Sequence, residues 1–130
     1  MSTIKADNIA TLAGVSTSMA NAVNGSAKAW VNFDGTGTVA IRQSYNVSSI
    51  TDNGTGDYTV NFTNAMTDAN FSAVGSAFCQ TANNSTLQIG RYTGSAYNPH
   101  TTTSIRVSIA PNFSTGSFLD CQYVDVAIFR

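Results

Sequence analysis

The chain has 130 residues, and 10% of them are charged, against about a quarter in an ordinary domain. Glu is absent, the formal net charge is −1, and no basic cluster is present to displace counterions from a phosphate backbone, which excludes nucleic acid as a partner. At 42% hydrophobic residues the chain is rich enough to bury one core, and Ser, Thr and Asn, about a third of the sequence, must build much of its surface from short uncharged side chains.

Residues Met1 to Gly25 differ from the rest. Met1-Ser2-Thr3-Ile4-Lys5 lacks the apolar stretch of a secretory signal, and nowhere does the chain approach about 18 consecutive apolar residues, so a membrane span is not expected. The larger apolar positions here are Ile4, Ile9, Leu12, Val15, Met19 and Val23, too thin a set to fold alone. Asp7 to Leu12 reads as strand or extended arm. Val15 to Val23 reads as one or two helical turns, with Met19 and Val23 four apart on one face. Such a segment is either disordered or buried against another chain. The expected division is an anchoring and oligomerisation arm over residues 1–25 and a globular domain over 26–130.

Trp30, flanked by Val31 and Phe33, reads as a structural anchor between arm and domain or as a ligand platform. Asp34-Gly35-Thr36-Gly37-Thr38 lacks the Lys and following helix of a phosphate loop and is read as a β-turn. Ser44 to Ile50 and Tyr58 to Phe62 are strand-like, the second with strict alternation. Asp52 to Asp57 joins them with residues that tolerate positive φ, so the three pieces predict a hairpin. The same six residues lack the closing Glu and flanking helices of a calcium loop. Further strands are expected over Phe71 to Gln80, where small residues allow a neighbouring layer to approach, and over Thr86 to Tyr92, with Leu87 and Ile89 on one face. Another is expected over Thr103 to Ala110, with Ile105, Val107 and Ile109 inward and Arg106 and Ser108 outward. Phe118 to Phe129 is apolar on both faces at its end, the pattern of a central strand covered on both sides. Turn-rich stretches separate these runs. About eight strands at short spacing predict an all-β domain, an antiparallel β-sandwich or jelly-roll-like fold.

Catalytic chemistry finds little to stand on. The single His, His100, follows Asn98-Pro99 in a loop, and the Asp residues lie in turns or in the last strand, so no enzymatic activity is expected. Cys79 and Cys121 read as packed reduced thiols, with a disulfide as the alternative. Two cysteines and one histidine do not supply a zinc site, and neither metal nor cofactor is expected. Arg91, Tyr92, Tyr97, Asn98 and His100 cluster on one long loop. Aromatic faces beside amide and guanidinium donors are the material of glycan or protein recognition, so this loop is the sequence's candidate ligand site.

The words AKAWVNFDGTGTVAIRQSYNVSSITDNGTGDYTVNFTNAM and DANFSAVGSA, spanning Ala27 to Ala77, carry a resemblance. They resemble a small β domain of tailed-bacteriophage structural proteins, found near the ends of tail-fibre-like chains and common in phages of aquatic bacteria. The resemblance implies a virion component, made in the host cytoplasm, whose N-terminal segment connects the β domain to the particle or to a fibre shaft. By analogy with fibre knobs and decoration proteins it implies a homo-oligomer, a trimer, with other virion proteins as partners. The alternative is an adhesin-like module that binds a host-surface carbohydrate or receptor.

Overall fold

A computed structural model of the chain describes residues 7–10, 13–14, 16–80, 85–90, 92–93, 96–97, 100–111 and 117–130. Within them the protein is mostly β, with antiparallel sheets and one short helix. In chain order the elements are β1 (Asn8–Ala10), β2 (Ser16–Ser18), α1 (Met19–Gly25), β3 (Ala27–Asp34), β4 (Ala40–Tyr45), β5 (Val47–Gly54) and β6 (Asp57–Phe62). They continue with β7 (Ser72–Phe78), β8 (Ser85–Ile89), β9 (Tyr92–Thr93), β10 (Ala96–Tyr97), β11 (Ser104–Pro111) and β12 (Tyr123–Phe129). Twelve strands are thus described where the sequence predicts about eight. One four-stranded sheet has the order β4-β3-β12-β7 and the other β5-β6-β11-β8, while β1-β2 and β10-β9 form two-stranded ribbons.

The two larger sheets meet through alternate residues. Ala29, Val31 and Phe33 of β3 and Val124, Val126 and Ile128 of β12 join Tyr58, Val60 and Phe62 of β6 and Ile105, Val107 and Ile109 of β11 in one apolar cluster. Phe33 and Tyr58 pack edge to face across it, their ring centroids 5.2 Å apart. The small residues of β7 serve close approach, as their composition predicts. A side chain at Gly75 would run into Leu87 of β8 and the backbone of Asp125, and Ser85 Oγ donates to the Ala77 carbonyl at 3.1 Å.

The predicted hairpin is present. Ile50 lies opposite Val60 and Gly54 opposite Asp57, with Thr55-Gly56 as the turn. Gly56 has φ +60°, and an added Cβ would meet the backbone of Leu119 at 2.6 Å, so only glycine fits. The strand that feeds this hairpin begins three residues later than the sequence suggests. At Asn46, with φ 53°, the chain leaves the first sheet for the second. The Asn46 side chain holds that corner: its amide donates to the Lys28 and Asn64 carbonyls at 3.1 and 3.2 Å, and its oxygen accepts from Asn64 N–H at 2.8 Å.

Four further expectations are corrected. Phe118 to Gln122 is not strand: β12 begins at Tyr123, and the preceding segment is pinned instead by Asp120, which accepts from Gly56 N–H at 2.7 Å and Tyr58 O–H at 2.6 Å. Strand β12 is central, but only one face is covered, and Tyr123 and Asp125 are exposed. Ser108 lies on the face opposite Val107 and Ile109, as predicted, but is buried there between its cross-strand neighbours Asp57 and Gln88; Arg106, on the same face, forks onto the buried Asp57 at 2.8 and 2.6 Å. Finally, Cys79 and Cys121 are disulfide-bonded, not reduced thiols, with Cα atoms 4.3 Å apart. Pairing of β7 with β12 puts Phe78 opposite Tyr123, which brings Cys79, the residue after Phe78, close to Cys121, two residues before Tyr123.

Before β3, the described side chains have no core. β1 and β2 pair, α1 is capped by Ser18 Oγ accepting from Asn21 N–H at 3.1 Å, and none of their residues is buried.

Candidate functional site

The predicted recognition loop is only partly described. Arg91 and Asn98 lie outside the described residues. Tyr92 and Tyr97 face each other in the β9-β10 ribbon as backbone positions. His100 is described and half-buried, and its ring stacks on Phe71 with centroids 4.7 Å apart and planes 6° from parallel. That contact ties His100 to the core aromatic Phe71. Of the predicted arm positions, Ile4, Leu12 and Val15 lie outside the described residues, Met19 is half-buried, and Ile9 and Val23 are exposed.

Apart from Ile9 and Val23, every exposed large hydrophobic among the described residues belongs to the sheet β4-β3-β12-β7: Trp30, Ile41, Tyr45, Val74, Phe78 and Tyr123. Strand register arranges its outer face in rows. Tyr45, Trp30, Ala127 and Val74 stand side by side across all four strands. The next row is polar: Gln43, Asn32, Asp125 and Ser76, with Asn32 Nδ2 donating to Asp125 Oδ1 at 2.6 Å. Beyond it Phe78 and Tyr123 form a second apolar band, with centroids 6.3 Å apart. Trp30, 37% exposed, lines a groove of about 410 Å³ with Val74 and Ala127, neither from the segment before Gly25.

The Phe78–Tyr123 end carries the polar chemistry. Between Asn32/Gln43 and Phe33/Ile41 the β3-β4 register slips by one, leaving Arg42 as the bulged residue. A bulge re-aims a side chain, and this one lies over the Tyr123 ring, 4.3 Å from its centroid. Its guanidinium donates to Asp34 Oδ2 at 2.8 Å and to the Gln122 carbonyl. Asp34 is held below the usual carboxylate range, chiefly by the Thr36 hydroxyl and amide donating to it at 2.6 and 2.9 Å, with Arg42 adding its charge. Gln80 N–H donates to Gln122 Oε1 at 2.9 Å and Gln122 Nε2 to Gln80 Oε1 at 3.3 Å. Arg42, Phe78, Gln80, Gln122 and Tyr123 line a groove of about 270 Å³.

A third hollow, of about 470 Å³, lies at the other end of the sheet near Lys28, Met66 and Arg130. Its two cations are engaged: Arg130 forks onto Asp68, and Lys28 donates to Ser26 Oγ at 3.0 Å and to the Val23 carbonyl. Among the described residues no three His, Cys or Asp side chains gather in a way that would hold a metal ion, and no helix is long and apolar enough to cross a membrane.

The sequence singled out Trp30 on this face but not Phe78, Gln80, Gln122 or Tyr123. One signal was available: each cysteine is followed by glutamine and each pair adjoins an aromatic, Phe78-Cys79-Gln80 and Cys121-Gln122-Tyr123. Compared with protein-family models, curated proteins and solved structures, the chain shows no match to any of them.

Proposed function

We propose that this protein is a structural component of a tailed-phage virion: a tail-fibre, head-fibre or capsid-decoration module without enzymatic activity. In this reading residues 26–130 form a β-sandwich of two four-stranded sheets, residues 1–25 form an arm that docks on another virion protein, and the module assembles with copies of itself, as a trimer. The observation that carries the reading is the gathering of exposed apolar side chains on one sheet face of a low-charge chain. Contiguous apolar surface of this kind is uncommon on monomers and marks subunit contacts. The sequence resemblance over Ala27 to Ala77 supports the virion, and the exposed Ile9 and Val23, without a core of their own, support an arm that is covered by a partner.

Light scattering of the purified chain tests the assembly. A homo-oligomer is expected, and Trp30→Lys with Val74→Lys should dissociate it by placing like charges across the contact. A chain that stays monomeric alone and on the particle overturns the reading. Electron microscopy of the intact particle with the chain localised tests the virion assignment. A second reading, recognition of a host-surface glycan, is favoured by one observation: the aromatic, amide and guanidinium cluster at the Phe78–Tyr123 end.

A further inference from the structure

We propose that the groove formed by Arg42, Phe78, Gln80, Gln122 and Tyr123 binds a neutral saccharide, with one pyranose ring seated against Phe78. The inference rests on the glycan-recognition reading and moves its site from the loop at 91–102 to the outer face of the sheet.

The rings come first. Phe78 is 62% exposed and Tyr123 49%, so neither is spent on the core. A pyranose presents a face of C–H groups to the electron-rich face of such a ring while its hydroxyls point sideways. The polar groups sit where those hydroxyls would fall. The two glutamines orient each other, and the bonds between them leave both Nε2 hydrogens of Gln80 and one of Gln122 for a ligand. Arg42 spends two of its five N–H groups on Asp34 and the Gln122 carbonyl and keeps the rest. Charge then selects the class. Asp34 neutralises Arg42, so the groove offers directional donors without a net positive field, which suits a hydroxylated neutral ligand better than a phosphate or carboxylate. At about 270 Å³ the groove lies just below the usual ligand clefts of about 300–1,000 Å³, the scale for one sugar unit.

Two features make it a built site. The Cys79–Cys121 disulfide joins the two segments that carry four of its five residues, which fixes their spacing before a ligand arrives and lowers the ordering cost of binding. The groove also lies at the Tyr123 end of β12, whereas Ala27, where the chain enters β3, pairs with Phe129 at the opposite end. Seven residues of strand separate them, roughly 20 Å. A module held by its N-terminal side therefore presents this groove at the far pole.

The test is titration of the full ¹⁵N-labelled chain with the methyl glycosides of glucose, galactose, mannose and N-acetylglucosamine, following the side-chain amide signals of Gln80 and Gln122. At least one glycoside should give saturable shifts with a dissociation constant of about 1–10 mM, the range of a single shallow site. Phe78→Ala and Gln122→Ala should each weaken it at least roughly tenfold, about 1.4 kcal/mol, while Tyr45→Ala, an exposed aromatic at the far row, leaves it unchanged. No saturable shift with any of the four at about 50 mM, several times that dissociation constant, overturns the proposal. So does binding that survives both groove substitutions. Melting temperatures exclude misfolding, since both side chains lie on the surface. Particle incorporation of the Phe78→Ala chain separates this from the structural reading: loss of incorporation without glycoside binding makes the groove a protein contact and removes the saccharide.

Discussion

Tyr58→Phe removes a single oxygen from the middle of the molecule, and its cost can be worked from geometry. The phenol is buried, and its one proton has two acceptors, Asp120 Oδ1 at 2.6 Å and the Gly35 carbonyl at 2.9 Å. The shorter, charge-assisted bond takes the proton. Hydrogen bonds to charged groups contribute about 1.5–3 kcal/mol. The lower end applies here, because Asp120 is exposed and still accepts from Gly56 N–H at 2.7 Å. With an unfolding entropy of about 2.1 cal/mol/K per residue, a loss of about 1.5 kcal/mol lowers the melting temperature by about 5 °C. Asp120→Ala and the double variant complete a cycle whose coupling should be about 1 kcal/mol, within the range for residues in contact. Alkaline pH gives a second readout. Burial, and then Asp120, push the Tyr58 phenol well above its ordinary value. Its contribution is fully present below the unfolded value of about 10 and is lost as pH rises above it. Phenylalanine should remove that share of the alkaline loss. Calorimetry that places Tyr58→Phe within about 1 °C of the parent, where about 5 °C is expected, or a cycle with no coupling, refutes the claim that this hydroxyl joins the hairpin turn to the segment before β12.

Val126→Asp puts a carboxylate at a 3% exposed position between Val31 and Gly75, and it should abolish soluble folded expression; an unchanged melting curve would contradict the register of β12. Arg106→Ala takes the fork from the buried Asp57 and should cost about 3 kcal/mol by denaturant titration, the low end for a buried pair because the guanidinium is partly exposed. Asp57→Leu with Arg106→Met should recover most of that loss. Cys79→Ser with Cys121→Ser opens a loop of 42 residues and should cost about 4 kcal/mol on the loop-entropy account; equal stability of the oxidised protein and this variant would argue against the crosslink. In acid, Asp34 contributes stability that is present above its unfolded value of about 3.9 and is lost as pH falls through its lower folded value, so Thr36→Ala should shallow the acid limb of a stability–pH curve.

What could be read in the sequence was local. Tyr58, Val60 and Phe62 alternate strictly and follow a turn of Asp, Asn and Gly, so strand and hairpin followed from neighbours alone. Ile105, Val107 and Ile109 gave the inward face of β11 for the same reason. The corner at Asn46 was hidden, because an asparagine between two strand-like runs looks like one more polar strand residue until the two sheets are known. The outer face of β12 was misjudged because aromatic residues favour strands on either face, and the sequence does not separate an exposed Tyr123 from a buried one. The loop at 91–102 drew notice as a cluster contiguous in sequence. The groove at Phe78, Gln80, Gln122 and Tyr123 joins segments more than forty residues apart, and only β7–β12 pairing and the disulfide make them neighbours.

The position of β12 has a consequence for biosynthesis. It is the last strand of the chain described, yet it sits inside its sheet, between β3 and β7. Until residues 123–129 leave the ribosome, β3 and β7 each lack the partner they will share, and Val31 and Phe33 have no Val124 or Val126 to cover them. The nascent chain can close β5 onto β6 early, since that contact spans few residues, but the other sheet waits for a pairing that joins Ala27 to Phe129. Such late, non-local closure slows folding and leaves apolar edges open meanwhile. Synthesis rate and chaperone supply should therefore govern yield more than they do for a protein whose core strands are neighbours in sequence, and truncation by even the last strand should give a chain that aggregates instead of a smaller folded module.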